Sequence, residues 1–255
     1  MGKVIAIANQ KGGVGKTTTT VNLGASLAIL ERKVILIDLD PQGSLAQSFG
    51  IRKSKLDRGI YNLIVKNEPI YYQVMSTMLE NLHIIPANIM NYKQEHLLYE
   101  NDDNMMLKDR LSSIINSYHY ILIDCPPTLG HLTCAALAAS QTMLVPLQAE
   151  FYAVNTLGSL FQTARHIKNT NNGKLGLEGI LMTMVDSRLN LSTEIINRIR
   201  NNFKHKVFKT CIPRNSDLIK VPEIGKPAIL FDINSKGVKA YISLAREIIN
   251  LNQGL

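Results

Sequence analysis

The chain has 255 residues, 45% of them hydrophobic and 19% charged, which is enough apolar content for a sizeable core. It contains no run of about 18 apolar residues and no leader-like start, so a soluble, cytoplasmic protein without a membrane span is expected. The formal charge of +8 is uneven: residues 188–239 hold eleven Lys or Arg against Glu194, Asp217, Glu223 and Asp232, a surplus suited either to a polyanion or to a solvated basic face.

In chain order, KVIAIAN (3–9) is a continuous apolar run entering a glycine-rich loop, the pattern of a buried parallel strand. A helix is expected from Thr17 to Leu30, with Val21, Leu23, Leu27 and Leu30 as its apolar residues, followed by a second buried strand, VILIDLD (34–40). Further strands are expected at 82–87, 120–126, 142–147, 179–185 and 208–212, with helical patterns between most of them. The alternation predicts an α/β fold: a doubly wound, mostly parallel sheet with helices on both faces, in a single domain spanning 1–255. A last helix over 236–250 would bury Val238, Tyr241, Ile242, Ala245 and Ile249. Cys125, Cys134 and Cys211 are odd in number and set in apolar segments, so they read as core residues rather than a disulfide framework or zinc site. Tyr71, Tyr72 and the methionine pairs of 51–109 read as packing residues.

The chemistry is concentrated between the first strand and helix, where Lys11-Gly12-Gly13-Val14-Gly15-Lys16-Thr17-Thr18 fits a P-loop. Glycines there let backbone N–H groups turn inward around phosphate oxygens; Lys16 would neutralise the β- and γ-phosphates, and the Thr17 hydroxyl would sit on Mg²⁺. Asp38 and Asp40 of IDLDPQG lie at the end of the neighbouring strand, where ligands collect in open α/β sheets, and Asp124 ends the apolar run YILID. Asp38 and Asp40 are expected to face apart, with Asp38 toward a Mg²⁺-bound water. Pro213-Arg214-Asn215, taken alone, reads as a turn after a strand.

One departure is informative: Gln10 stands where the general P-loop has glycine, and Lys11 is an additional lysine. In this the chain resembles the deviant Walker A family, which includes ParA partition ATPases, MinD cell-division regulators and the nitrogenase iron protein. NQKGGVGKTTTTVNL, DLDPQG, DCPPTLG, VPLQAE, IPRN and GKPAILFD resemble the chromosomal ParA (Soj) subgroup over essentially the whole chain. The resemblance implies an ATPase of weak intrinsic activity using ATP and Mg²⁺. In it Lys11 reaches phosphates across an ATP-dependent homodimer, Asp40 orients the attacking water, Asp124 holds Mg²⁺ through water, and Pro213, Arg214 and Asn215 meet the adenine. It also implies nonspecific binding of double-stranded DNA, nucleoid association and hydrolysis stimulated by a ParB-like partner. Arg188 matches a DNA-contacting position; a second such position is Asp217 here, and Lys220 is expected to take over its contact. A MinD-like membrane regulator is the alternative, but AYISLAREIINLNQGL carries only Arg246 as a basic residue, against the basic amphipathic helix a lipid surface requires.

Overall fold

A computed structural model of the chain describes residues 2–100, 103–150, 153–186 and 188–253. The apolar runs form β1 (Lys3–Ile7), β2 (Val34–Asp38), β3 (Met75–Ser76), β4 (Leu82–Ile85), β5 (Tyr120–Asp124), β6 (Thr142–Gln148), β7 (Gly176–Val185) and β8 (Val207–Pro213). They make one sheet ordered β3-β4-β2-β5-β1-β6-β7-β8, in which only the β3–β4 pairing is antiparallel. The two residues of β3 are too few to show a period and were not anticipated.

The helices are α1 (Lys16–Ile29), α2 (Ser44–Gln47), α3 (Ile60–Ile64), α4 (Tyr92–Glu100), α5 (Met106–Leu111), α6 (His131–Ala139), α7 (Ala153–Thr170), α8 (Asn190–Phe203), α9 (Ser216–Ile224) and α10 (Lys236–Leu251). The strand period of two sorts the central strands onto two cores. Val4, Ala6, Ile35, Ile37, Ile121 and Ile123 join residues of α3 to α8, whereas Ile5, Ile7, Val34, Leu36, Tyr120 and Leu122 join residues of α1, α2, α9 and α10. The sheet is therefore covered on both faces, and its middle strands are apolar on both sides for that reason.

The buried stripe of α10 is Val238, Tyr241, Leu244, Ala245 and Ile248; Ile242 and Ile249, expected in it, lie at its margin and are only partly buried. This stripe packs against α1 and β8. Among the described residues no helix is long and apolar enough to cross a membrane. Cys125 is buried, Cys134 and Cys211 are half-buried, and all three are free thiols. Tyr71 and Tyr72 depart from the expectation: they are exposed and stack on each other with centroids 4.2 Å apart. Ile70 and Gln73 take the buried positions of this turn, which leaves Tyr71 and Tyr72 facing outward.

Gly24 sits in mid-α1 against β2, where a Cβ would lie 2.6 Å from Leu36 Cδ2 and 3.4 Å from its Cγ. Replacing a helical glycine by alanine ordinarily gains about 1 kcal/mol in propensity. Leu36 is fully buried and cannot swing aside, so an overpacking cost of about 1–3 kcal/mol opposes that gain. Gly24→Ala is expected to lower stability by up to about 2 kcal/mol in a urea melt, and a more stable variant would mean that Leu36 yields freely.

Candidate nucleotide site

The loop after β1 is shaped by two left-handed glycines, Gly13 (φ 73°) and Gly15 (φ 91°), conformations that strain other residues. A Cβ on Gly12 or Gly13 would meet nothing within 4 Å, so the space above the loop is open. Gly15 is the N-cap of α1 and supplies no side-chain cap, which leaves the N-terminal N–H groups of this 14-residue helix directed at whatever occupies that space. Lys16 is only 7% exposed, and its Nζ donates to the Lys11 carbonyl at 3.2 Å. Burial lowers its pKa, while the charges of Asp124, Cys125 and Asp40 act to raise it.

Beside the loop, Asp38 and Asp124 stand in register on adjacent strands β2 and β5. By parity with Val34 and Leu36, and with Tyr120 and Leu122, both occupy positions on the α1 face. The expectation that Asp38 and Asp40 face apart rested on a false premise, since residues two apart on a strand share a face. They differ in burial instead: β2 ends at Asp38, which is fully buried, and Asp40 begins a turn and is half-buried. The Asp40 carbonyl accepts the Gly43 N–H at 2.9 Å, and its Oδ1 accepts the Gln42 N–H at 3.0 Å.

The three acids are not equivalent. Asp38 is fully buried, with Oδ1 accepting the Asp40 N–H at 3.1 Å and Oδ2 the Leu45 N–H at 3.2 Å, so both oxygens serve its own loop. Burial, then the neighbouring Asp124 and Asp40, pushes its pKa well up. Asp124 is also buried; one oxygen accepts the Thr20 hydroxyl at 3.2 Å, and among the described residues no donor meets Oδ2 with hydrogen-bond geometry, although the Thr17 hydroxyl stands close enough to stabilise the charge. Burial lifts its pKa to about 7, with Asp40 adding to the rise and Thr17, Lys16 and Thr20 opposing it. An orphaned carboxylate oxygen next to a Thr hydroxyl, a buried lysine and an open phosphate-sized cradle is a donor set that fits a hard cation with its phosphates.

Lys11 is paired with Glu150 of the same chain, both side chains being half-exposed. Farther along, Gly15, Thr18, Thr183, Met184, Pro213, Arg214, Asn215 and Tyr241 help line a mostly apolar cavity of about 280 Å³ that opens onto the loop. Three ties hold its walls. The Thr183 hydroxyl donates to the Val14 carbonyl at 2.8 Å, the Arg214 N–H donates to the Val185 carbonyl at 3.1 Å, and Tyr241 Oη lies 3.1 Å from Thr19 Oγ1. Met184, at φ 53°, is a left-handed non-glycine residue in this wall. Asn215 doubles as the α9 cap, accepting from the Asp217 and Leu218 N–H groups at 3.0 and 3.3 Å.

Sequence reasoning missed Thr20, Thr183, Tyr241 and Glu150. Thr20 was findable, lying three residues after Thr17 on one helix face; the other three belong to distant strands, helices or loops. Neither residue expected to meet DNA lines the cavity: Arg188 is 86% exposed at its side chain and pairs with Asp186 through contacts of 2.6 and 2.8 Å, and Lys220 is exposed on α9. Asp217 has a local reason to be acidic, standing in the first turn of α9 where the helix dipole favours negative charge.

The family model described as an AAA domain matches residues 2–177. The sporulation initiation inhibitor protein Soj of Bacillus subtilis is 44% identical over 249 residues, covering 97% of this chain and 98% of the relative. The chromosome partitioning protein ParA of Myxococcus xanthus is 42% identical over 98% of this chain and 88% of its own length. In three dimensions the chain is similar to cobyrinic acid a,c-diamide synthase of Mycobacterium smegmatis, crystallised with an ATP analog and magnesium. Its TM-score is 0.85 at 31% identity, over 100% of this chain and 97% of that one. The fold is shared as well with the cell division ATPase MinD of Pyrococcus furiosus, with a TM-score of 0.82 at 23% identity over 98% and 100% of the two chains. With this cradle and these relatives, the chain belongs to the Soj/ParA family of chromosome-partitioning ATPases.

Proposed function

We propose that the chain is an ATP-driven switch that dimerises on ATP, holds DNA in that state and releases it after hydrolysis. The observation that carries this reading is the orphaned Oδ2 of buried Asp124, beside Lys16 and the uncapped start of α1. Thr17 and Asp124 would hold Mg²⁺, which supplies counter-charge for the phosphate oxygens. The loop N–H groups and Lys16 bind and orient the phosphates, and Asp38 shapes the turn that presents Asp40. Asp40, half-buried at that turn, orients the attacking water. The 280 Å³ cavity suits the base, with Pro213, Arg214 and Asn215 along one side. Phosphoryl transfer needs positioning and charge neutralisation more than covalent chemistry, which these groups provide.

Lys11 gives the switch its dimer dependence. In the single chain Glu150 neutralises it; in the dimer Lys11 would leave that carboxylate for the partner's phosphates. DNA is the output favoured by the basic surplus of 188–239 and by the partitioning relatives. A ParB-like protein is the expected accelerator of hydrolysis. Membrane attachment through the last helix is disfavoured, since the apolar stripe of α10 is spent on α1 and β8.

DNA binding measured with ATP, with ADP and without nucleotide tests this reading. Wild type and Asp40→Ala are expected to bind only with ATP, and Lys16→Gln under none of the three conditions; binding by wild type that ignores nucleotide would overturn the switch. Lys220→Glu is expected to weaken binding to all sequences alike and to lower the salt slope by about 1. An unchanged slope would remove Lys220 from the DNA surface.

The site also dictates a pH response. Asp124 holds its proton up to about pH 7 when folded, against a reference value of 3.8. Between these values the folded chain binds the extra proton, so stability without nucleotide falls as pH rises across that range. Asp38 acts in the same direction. Melting of the nucleotide-free chain is expected at lower temperature near pH 7.5 than near pH 5, with a smaller difference in Asp124→Asn. Equal pH dependence in the two proteins would contradict the assignment.

A further inference from the structure

The turn Asp40-Pro41-Gln42-Gly43 has its N–H groups answered from within: Asp38 takes the Asp40 N–H, Asp40 Oδ1 takes the Gln42 N–H, and the Asp40 carbonyl takes the Gly43 N–H. Its two outward carbonyls are answered from outside. Lys53, half-buried at the start of a 3₁₀ turn, sends Nζ to the Pro41 carbonyl at 3.1 Å and the Gln42 carbonyl at 3.3 Å. The stem of the same side chain lies along the turn, since a Cβ on left-handed Gly43 would be 3.7 Å from both Lys53 Cε and Nζ. On its other side that Cβ would be 3.1 Å from the Ala87 carbonyl. The turn thus lies between the Ala87 carbonyl, two residues beyond β4, and one ammonium group.

Among the described residues no carboxylate lies within ion-pair distance of Lys53, and its ammonium donates to backbone carbonyls. A lysine spent on two carbonyls fixes backbone, and the backbone it fixes is that of the residue next to Asp40. From this geometry we infer that Lys53 is a positioning residue for hydrolysis, setting the place of the Asp40 carboxylate by clamping the turn that follows it. The inference rests on the reading of Asp40 as the water-orienting group. It extends the working site to a residue thirteen positions downstream, in a segment that carries no recognisable motif.

Lys53 also lines an open cleft of about 550 Å³, bounded across from it by Pro222, Glu223 and Gly225 at the end of α9. The room there allows arginine to replace lysine and still reach the carbonyls, which makes a conservative rescue informative.

The test is steady-state ATP hydrolysis by the full chain carrying Lys53→Met, Lys53→Arg or Asp40→Ala. Lys53→Met keeps the apolar stem and loses the charge; it is expected to lower kcat at least about ten-fold by misplacing the carboxylate, with KM for ATP within about two-fold of wild type. Lys53→Arg should restore most of the loss. Wild-type kcat in Lys53→Met, with Asp40→Ala inactive, overturns the clamp and leaves the role of Asp40 standing. A fall in kcat that Lys53→Arg fails to rescue, accompanied by a raised KM and a lower melting temperature, assigns Lys53 to general stability and overturns the clamp as well. Wild-type kcat in Asp40→Ala overturns the water-orienting role and the clamp with it.

Discussion

Two carboxylates placed in register on adjacent central strands, both buried, set the terms for everything around them. Asp38 and Asp124 are desolvated together: burial raises both pKa values, the charge of Asp124 adds to the rise of Asp38, and that of Asp40 adds to the rise of both. The chain answers Asp38 with two backbone N–H groups and Asp124 with one threonine hydroxyl and a nearby lysine. Among the described residues, that leaves one oxygen of Asp124 without a hydrogen-bonded partner. An arrangement this costly to bury is what a site built to receive a cation and a polyphosphate requires.

The rest of the fold delivers groups to that point. The strand β1 ends beside Asp124, so the glycine loop and the start of α1 arrive at the same carboxyl edge of the sheet. Thr20 reaches Asp124 from the second turn of α1, and Thr19, one residue earlier, reaches Tyr241 of α10. The helix that carries Lys16 is thereby fastened to the last helix of the chain, and Thr183 fastens the loop to β7. The apolar cavity, the glycine loop and the acidic edge are consequently one connected structure, with Lys53 bonded to its outermost turn.

Much of this was legible in the sequence because the signals are local. Buried parallel strands are unbroken apolar runs, and the P-loop is a contiguous run of residues whose types each have a physical reason. Asp38 and Asp40 were legible as a pair, but their division of labour depends on where β2 stops, and the run VILIDLD does not mark that point. The Lys11–Glu150 pair spans 139 residues and the Thr19–Tyr241 contact 222, beyond the reach of any local pattern. Tyr71 and Tyr72 were misjudged because apolar content was taken for burial on a turn that faces solvent. Asp217, which looked like a lost DNA contact, is accounted for by the N-terminal turn of α9.

We propose that ATP, and not ADP, joins two copies of this chain by drawing Lys11 from its own Glu150. Sedimentation velocity of the Asp40→Ala chain tests it most directly, with Mg²⁺ and ATP, with Mg²⁺ and ADP, and without nucleotide. The account predicts a dimer with ATP alone and a monomer in the other two samples, with Lys11→Ala monomeric throughout. The same sedimentation coefficient in all three samples, or an ATP dimer that survives Lys11→Ala unchanged, would contradict it.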